Sequence, residues 1–312
     1  MKAKNLFRFG FLMIAAMTLL FAGCSKDKTT DKGSANTESM QQLTKDENNV
    51  NNATDQAMND ANTILSSGKD KSALSGPCGA TWTFSSVIND SVTLDIIYNG
   101  DDCNHSHYRT GHVSVRGRYL ENWGQAGATV IITLDNFYLR KNSTMKAVTL
   151  NGRKHFQNFS GHYLFELGLD STVTSVVYRL WGNITSTFEN GDSKVWSLAR
   201  QRTFTGSLIN LVITDDGFGS ADGYSNLSTW GTNRNGELFY TRITQPVVHR
   251  QTCGFDPCTG IIIHEIPAAS KSATITYGYD INNNPITDGS CPARYRLDWV
   301  VGGLSGTFFL PL

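Results

Sequence analysis

Residues 91–100 read Ser-Val-Thr-Leu-Asp-Ile-Ile-Tyr-Asn-Gly, and this stretch sets the fold class. Its apolar residues Val92, Leu94, Ile96 and Tyr98 stand at every second position. Because successive side chains of a strand point to opposite faces, this period of two predicts a half-buried β-strand. The closing Asn-Gly is a favoured turn dipeptide of short hairpins. The stretch therefore predicts an antiparallel strand followed by a turn.

The same pattern recurs from residue 76 to residue 312. Alternating runs occur at 129–134, 163–167, 209–213, 273–277 and 295–301. Further turn dipeptides stand between runs at Asn151-Gly152, Asn190-Gly191, Asn235-Gly236 and Asp288-Gly289. No segment with helical periodicity interrupts them. We therefore expect one all-β domain over 76–312, built as an antiparallel sandwich or an open barrel.

The residues before this domain have a different composition. Residues 24–43 are rich in Ser, Lys, Asp, Thr and Gln, which predicts a flexible tether. Thr44 then stands three residues before Glu47, as in a capping box, and apolar residues follow at spacings of three, four and seven. This pattern predicts a short amphipathic helix over 44–67. It fits a helix packed loosely on the β domain or, alternatively, a coiled-coil helix.

The first 23 residues have the features of an export signal. Lys2, Lys4 and Arg8 precede an apolar run from Phe9 to Phe21, which is shorter than the roughly 20 residues that span a bilayer. The following Ala-Gly-Cys24 resembles the lipobox of bacterial lipoproteins, where the cysteine is acylated and the chain is cut before it. We expect residues 1–23 to be a lipoprotein signal peptide and Cys24 to anchor the chain to a membrane. The alternative is an ordinary secretory signal with a chance cysteine.

Two segments at opposite ends of the β domain repeat one pattern. Pro77-Cys78 precedes an alternating strand and Cys103, and Pro257-Cys258 precedes a second alternating strand and Cys291. If each unit is an antiparallel hairpin, its two cysteines return to the same end of the sheet. We therefore expect disulfides Cys78–Cys103 and Cys258–Cys291, each stabilising by ~3 kcal/mol in an oxidising compartment. Cys253 competes with Cys258 for Cys291, and the cysteine left over could be a free, reactive thiol.

Several motifs together resemble a family of uncharacterised surface lipoproteins from the Bacteroidetes with a large all-β domain. They are Trp196–Gly206, Asp215-Asp216, Gly231–Gly236, Thr244–Val248 with Cys253, and Asp288–Cys291, and they cover most of residues 76–312. The resemblance implies an envelope lipoprotein and brings no established chemistry with it. Ser25 after the lipidated cysteine favours the outer membrane over inner-membrane retention. Lys26-Asp27 loosely resembles a surface-export signal in that group of bacteria.

Two groups of residues are candidates for a site. His105 and His107 alternate in Asp101–His107, so on a strand they would face the same way and could share a metal ion. The alternative is a polar hairpin loop that binds no metal ion. Tryptophans precede glycines at Trp123, Trp181 and Trp230, and aromatic faces exposed in a row would suit sugar rings. The usual interpretation is that such tryptophans belong to the core.

Composition narrows the function. The 27 basic and 27 acidic residues balance, and no basic stripe points to nucleic acid. No catalytic or cofactor motif is specific enough to predict an enzyme, and we expect no cofactor. Arg200 and Arg202 alternate on one face beside Trp196, which predicts cation–π stacking. We expect a non-enzymatic structural or binding domain at the outer membrane. The alternatives are a binder of glycan or peptide at the cell surface and a polymer hydrolase.

Overall fold

The computed structural model describes residues 32–66, 77–85, 91–118 and 123–312. Within these residues one α-helix, α1, is followed by fifteen strands, β1 to β15, and three 3-10 turns lie between strands at Leu164–Glu166, Gln251–Cys253 and Pro267–Ala269. Their bounds are α1 Lys32–Ser66, β1 Ala80–Phe84, β2 Ser91–Asp101, β3 His107–Arg118, β4 Ala128–Lys141, β5 Ala147–Asn158, β6 Ser175–Phe188, β7 Ser193–Ser207, β8 Asn210–Gly217, β9 Gly219–Ala221, β10 Tyr224–Thr232, β11 Leu238–Arg250, β12 Pro257–Ile266, β13 Lys271–Tyr279, β14 Arg294–Val301 and β15 Leu304–Pro311.

The all-β prediction is confirmed, and the strands form a single antiparallel sheet rather than two packed sheets. Neighbouring strands follow one another from β1 to β7, and the order continues as β10 to β15. β8 pairs with both β7 and β11, so β7, β8, β11 and β10 form a small closed ring of pairings. β9 forms a short hairpin with β10 beside this ring. One face of the sheet therefore surrounds the core, and the other faces outward.

Two of the five predicted turns form hairpins, at Asn190-Gly191 and Asn235-Gly236. Asp288-Gly289 lies in the long connection before β14, whereas Asn99-Gly100 and Asn151-Gly152 lie inside strands. Gly152 and its neighbour Gly182 on β6 both have positive φ, and a Cβ at either position would overlap the backbone of the adjacent strand. Glycine inside a strand marks such close approach or a bend. The turn prediction was therefore wrong at Asn99-Gly100 and at Asn151-Gly152.

The N-terminal helix exists, but it begins at Lys32 rather than at 44. Residues 32–43 were expected to belong to the tether. Met40 and Leu43 are buried and extend the apolar face formed by Val50, Ala53 and Ala57, which explains the longer helix. Thr44 lies inside the helix, where its hydroxyl donates to the carbonyl of Met40 and caps nothing.

The helix packs into the core of the sheet and is not loosely attached. Its buried residues belong to the same hydrophobic cluster as Leu94, Ile96, Val113 and Ile132 of the strands. Its successive turns contact distant strands, from Thr241 and His264 on β11 and β12 to Tyr98 and Arg109 on β2 and β3. The helix thus lies across the inner face of the sheet and completes the hydrophobic core there.

Both repeat units fold as hairpins, β1–β2 and β12–β13. The structure pairs Cys78 with Cys103, as expected. It pairs Cys291 with Cys253, so the Cys258–Cys291 prediction was wrong. Cys258 lies within β12 and faces inward, where its thiol is buried, whereas Cys253 lies in a turn before that strand. Cys253, rather than Cys258, is the structural counterpart of Cys78.

Candidate functional site

An aromatic groove of about 680 Å³ lies on the outer face of the sheet. We call it the outer groove. Its lining comes from neighbouring strands, and its residues are His155, Gln157, Arg179, Trp181, Gly182, Asn183, Ser197, Leu198, Ala199, Phe218 and Trp230. The lining combines aromatic rings with amide, hydroxyl and guanidinium groups.

The groove follows from strand alternation and residue size. Trp181 on β6 pairs with Ala199 on β7, and Ser197 on β7 pairs with Trp230 on β10. The two tryptophans thus rise from strands on either side of β7, about 10 Å apart at a strand spacing of nearly 5 Å. Between them β7 presents a methyl and a hydroxymethyl group. Large rings flanking small side chains leave an open trough.

The rings of the outer groove are held by their neighbours. His155 stacks on Trp181 with ring centroids 5.0 Å apart and planes 8° from parallel. Phe218, which is 40% exposed, contacts Trp181 edge-on, with ring centroids 6.3 Å apart. Gly219 lies so close to the Trp230 ring that a Cβ there would overlap it. These contacts fix the orientation of the aromatic walls before any ligand binds.

Polar groups stand beside the rings. Ser197 donates a hydrogen bond from its hydroxyl to Asn183 Oδ1 at 2.8 Å. The Asn183 amide N–H groups have no acceptor among the described residues and can donate to a ligand. Arg179 donates through Nε to Gln201 Oε1 at 2.9 Å. Pyranose rings present C–H faces to aromatic rings and hydroxyls to amides and guanidinium groups. The chemistry of the outer groove therefore suits a carbohydrate.

The inner face carries charged side chains that bind the helix. Arg200 and Arg202 both donate to Asp55, at 2.9 and 3.0 Å, and Arg202 also donates to both oxygens of Asp215. Burial opposes the charged carboxylate, but Arg202 and His249 outweigh it and hold the pKa of Asp215 far below its usual range. The expected stacking of the two arginines on Trp196 was wrong. Their guanidinium groups point to the helix.

A cavity of about 490 Å³ lies on the inner face beside the helix. Its interior charges are paired, since Glu47 contacts His264 at 2.6 Å and Asp55 contacts Arg200 and Arg202. These pairs join the helix to the sheet. We therefore place the candidate site in the outer groove, whose polar side chains, among the described residues, bond within the sheet and do not hold the helix.

The sequence-predicted tryptophans separate into two groups. Trp181 and Trp230 both line the outer groove. Trp123 is buried, and its indole N–H donates to Asn62 of the helix at 3.0 Å. Sequence reasoning missed Phe218, His155 and Arg179. The alternation that places His155 outward was visible, but its alignment with Trp181 depends on the strand register.

The two histidines of the metal hypothesis do not converge. His107 begins β3 and its Nδ1 lies 3.0 Å from Asp102, whereas His105 is 83% exposed in the turn. Burial opposes ionisation of Asp102, but hydrogen bonds from His107 and Ser106 lower its pKa to about 2. Among the described residues, no group of three or more His, Cys, Asp or Glu side chains is arranged to hold a metal ion. The loop has the contacts of a polar hairpin.

The comparisons with known proteins leave the family open. No protein-family model matches the chain, and no curated protein or solved structure matches it significantly. Cys24 and the expected signal peptide lie outside the described residues. Within the described ranges, no helix has both the length and the apolarity needed to cross a membrane.

Proposed function

We propose that this protein is a non-enzymatic lipoprotein of the bacterial outer membrane, acylated at Cys24, whose β domain binds glycan in the outer groove. The observation that carries the proposal is the pair Trp181 and Trp230, which lie on the same face of the sheet on either side of the small residues Ser197 and Ala199 of β7. The proposed anchor is supported by the sequence, in which a basic segment is followed by an apolar run and then by Ala-Gly-Cys24.

Three features of the outer groove support sugar binding. Its aromatic walls are partly exposed, since Phe218 is 40% exposed and Trp181 and Trp230 are half-buried, and exposed aromatic surface is unfavourable in water unless it has a partner. Its walls are held in place by ring contacts, so binding orders few side chains and loses little conformational entropy. Its amide and hydroxyl groups stand beside the rings, where hydroxyls of a stacked sugar would lie.

The same lining favours binding over cleavage. Glycoside hydrolases ordinarily use two carboxylic acids on either side of the scissile bond. The described lining of the outer groove is aromatic, amide, hydroxyl and guanidinium in character. We therefore propose retention of a polymer at the cell surface, and not its hydrolysis, as the role of this site.

A glycan array tests the proposal. The wild-type domain is expected to bind at least one class of oligosaccharide, and Trp181→Ala and Trp230→Ala are each expected to abolish most of the signal, because a stacked ring contributes roughly 1 kcal/mol or more. Phe308→Ala is the matched control, since Phe308 is 38% exposed and lies outside the groove. Binding that survives both tryptophan substitutions would refute the site. Binding of peptides with no response to any glycan would refute the ligand class.

The anchor is tested separately by detergent partition of the protein from bacterial membranes. The wild-type protein is expected in the detergent phase, because two or more acyl chains hold a protein stably in a membrane. Cys24→Ser is expected to shift the protein to the aqueous phase. An unmodified Cys24 thiol in the mature wild-type protein would refute the anchor.

A further inference from the structure

Arg179 stands at one end of the outer groove, and its guanidinium group is held in a fixed plane. The guanidinium carbon lies 3.6 Å from the centroid of the Phe159 ring and 5.5 Å from that of Phe218. Its Nε donates to Gln201 Oε1 at 2.9 Å. Stacking on Phe159 and the bond to Gln201 together fix both the position and the orientation of the group.

The two terminal nitrogens of Arg179 remain available. Among the described residues, neither makes a hydrogen bond or an ion pair, although Nε is engaged. Asp216 lies on the same outer row, but two strands away from Arg179, because Arg179 pairs with Gln201 and Gln201 pairs with Asp216. The groove thus has an oriented cation without a carboxylate beside it.

We propose that the outer groove selects acidic glycans, with Arg179 binding a carboxylate or a sulfate ester of a sugar that stacks on Trp181. This inference rests on the proposed function and narrows it to a substrate class. A planar guanidinium with two free N–H edges matches a carboxylate or sulfate in a bidentate arrangement. Uronic acids and sulfated sugars share this chemistry and both meet the requirement.

The position of Arg179 favours selection over general attraction. A mobile surface lysine would raise the affinity for any polyanion. The stacked guanidinium group of Arg179 can instead bind an anion at one fixed position beside the aromatic walls. Because the side chain is already ordered by Phe159 and Gln201, binding loses less rotamer entropy. Loss of a charge-assisted bidentate contact is expected to weaken binding by about 10-fold to 100-fold.

Titration calorimetry with matched oligosaccharides tests the proposal. The probes are galacturonic acid oligomers, chondroitin sulfate oligomers and neutral galactose oligomers of the same length. Wild-type protein is expected to bind one or both acidic probes at least 10-fold more tightly than the neutral probe. Arg179→Gln is expected to remove this preference, because it weakens acidic binding by about 10-fold to 100-fold and neutral binding by much less. Arg179→Lys is expected to restore part of the affinity, but with less discrimination, because lysine lacks the fork.

Arg153→Gln is the matched control. Arg153 is an exposed arginine on the same outer face, but it does not line the groove. Its substitution is expected to change acidic binding by less than about 3-fold, as general charge effects at exposed sites do. Near-UV circular dichroism of each variant checks that the aromatic packing is intact.

The possible failures are distinguishable. If neutral and acidic probes bind equally, or if Arg179→Gln weakens both equally, selection by Arg179 is refuted and glycan binding stands. If Trp181→Ala leaves acidic binding unchanged, the acidic probes bind elsewhere and both proposals fail. If no oligosaccharide binds the wild-type protein, the proposed function itself fails.

Discussion

Replacing Asp55 by asparagine removes one negative charge from the cluster that joins the helix to β7. Asp55 accepts hydrogen bonds from Arg200 and Arg202, whose side chains are only 9% and 21% exposed. After the change Arg202 keeps its contact with Asp215, whereas Arg200, in a largely buried cluster, loses the carboxylate that it contacts. Removing one partner of a buried ion pair typically costs about 3–5 kcal/mol.

The expected loss lies at the lower end of that range. The Asp55 side chain is 26% exposed, so water screens part of the lost interaction, and the asparagine oxygen can still accept one hydrogen bond. We therefore expect the free energy of unfolding to fall by about 3 kcal/mol. At roughly 2–4 °C for each kcal/mol, the melting temperature should fall by about 6–12 °C.

Urea denaturation followed by circular dichroism measures this change. Asp256→Asn is the matched control, because Asp256 is an exposed aspartate whose side chain makes no ion pair among the described residues. Hydrogen exchange at residues 40–64 should increase in Asp55→Asn more than exchange in the central strands, because the charge cluster holds the helix. A loss within 1 kcal/mol of the control, with unchanged helix exchange, would refute the idea that the helix is held by charge.

Three further outcomes are expected. The pKa of Asp215 is lowered in the folded protein, so the stabilisation that ionised Asp215 provides is complete above the usual aspartate pKa near ~4 and is lost as the pH falls below that value. Asp215→Asn should therefore make the free energy of unfolding less dependent on pH in acid. An unchanged dependence on pH would contradict this. Burial lowers the pKa of Lys154 far below its usual range, so this lysine destabilises the folded state at pH values below the usual lysine pKa near ~10.4. Lys154→Met should therefore stabilise the protein at pH 7, with a gain that shrinks toward pH 10, and a gain independent of pH would count against it. Peptide mapping of the unreduced protein should link Cys253 to Cys291 and find Cys258 as a thiol that alkylates after unfolding; a Cys258–Cys291 peptide would overturn the pairing.

Strand alternation predicted the fold class because apolar residues at every second position lie together on the buried face of a strand. Leu94, Ile96 and Val113 lie on the inner face and are fully buried. The turn dipeptides were less reliable, since a glycine with positive φ serves a tight turn and a bend within a strand equally well. Gly152 is of the second kind, and its role depends on the neighbouring strand β6.

The packing of the helix on the sheet was underestimated because part of the buried face of the helix is polar. Asp46 bonds to Arg234, 188 residues away, and Glu47 bonds to Thr241, 194 residues away. An acidic residue on a helix ordinarily predicts a solvated face, and only its partner across the fold makes burial favourable. The periodicity of the helix sequence gives no information about a partner so far along the chain.

The candidate site was predictable in part. The Trp-Gly pairs identified Trp181 and Trp230, since a tryptophan beside a glycine in an alternating run is a recognisable aromatic signal. Their convergence depends on β6, β7 and β10 being neighbours, which requires β8 to end before β10 takes its place beside β7. Arg179 could not be assigned, because its stacking on Phe159 depends on the register between β5 and β6.

Indole nuclear magnetic resonance tests the central claim most directly. The chain has six tryptophans, so protein labelled with ¹⁵N at the indole nitrogen gives six resolvable N–H signals. These are assigned by single Trp→Phe variants and followed while the best oligosaccharide from the array is added. We expect the signals of Trp181 and Trp230 to shift together in a saturable way, while those of the buried Trp123 and Trp196 stay in place. Shifts confined to other tryptophans, or none at saturating oligosaccharide, would contradict a glycan site in the outer groove.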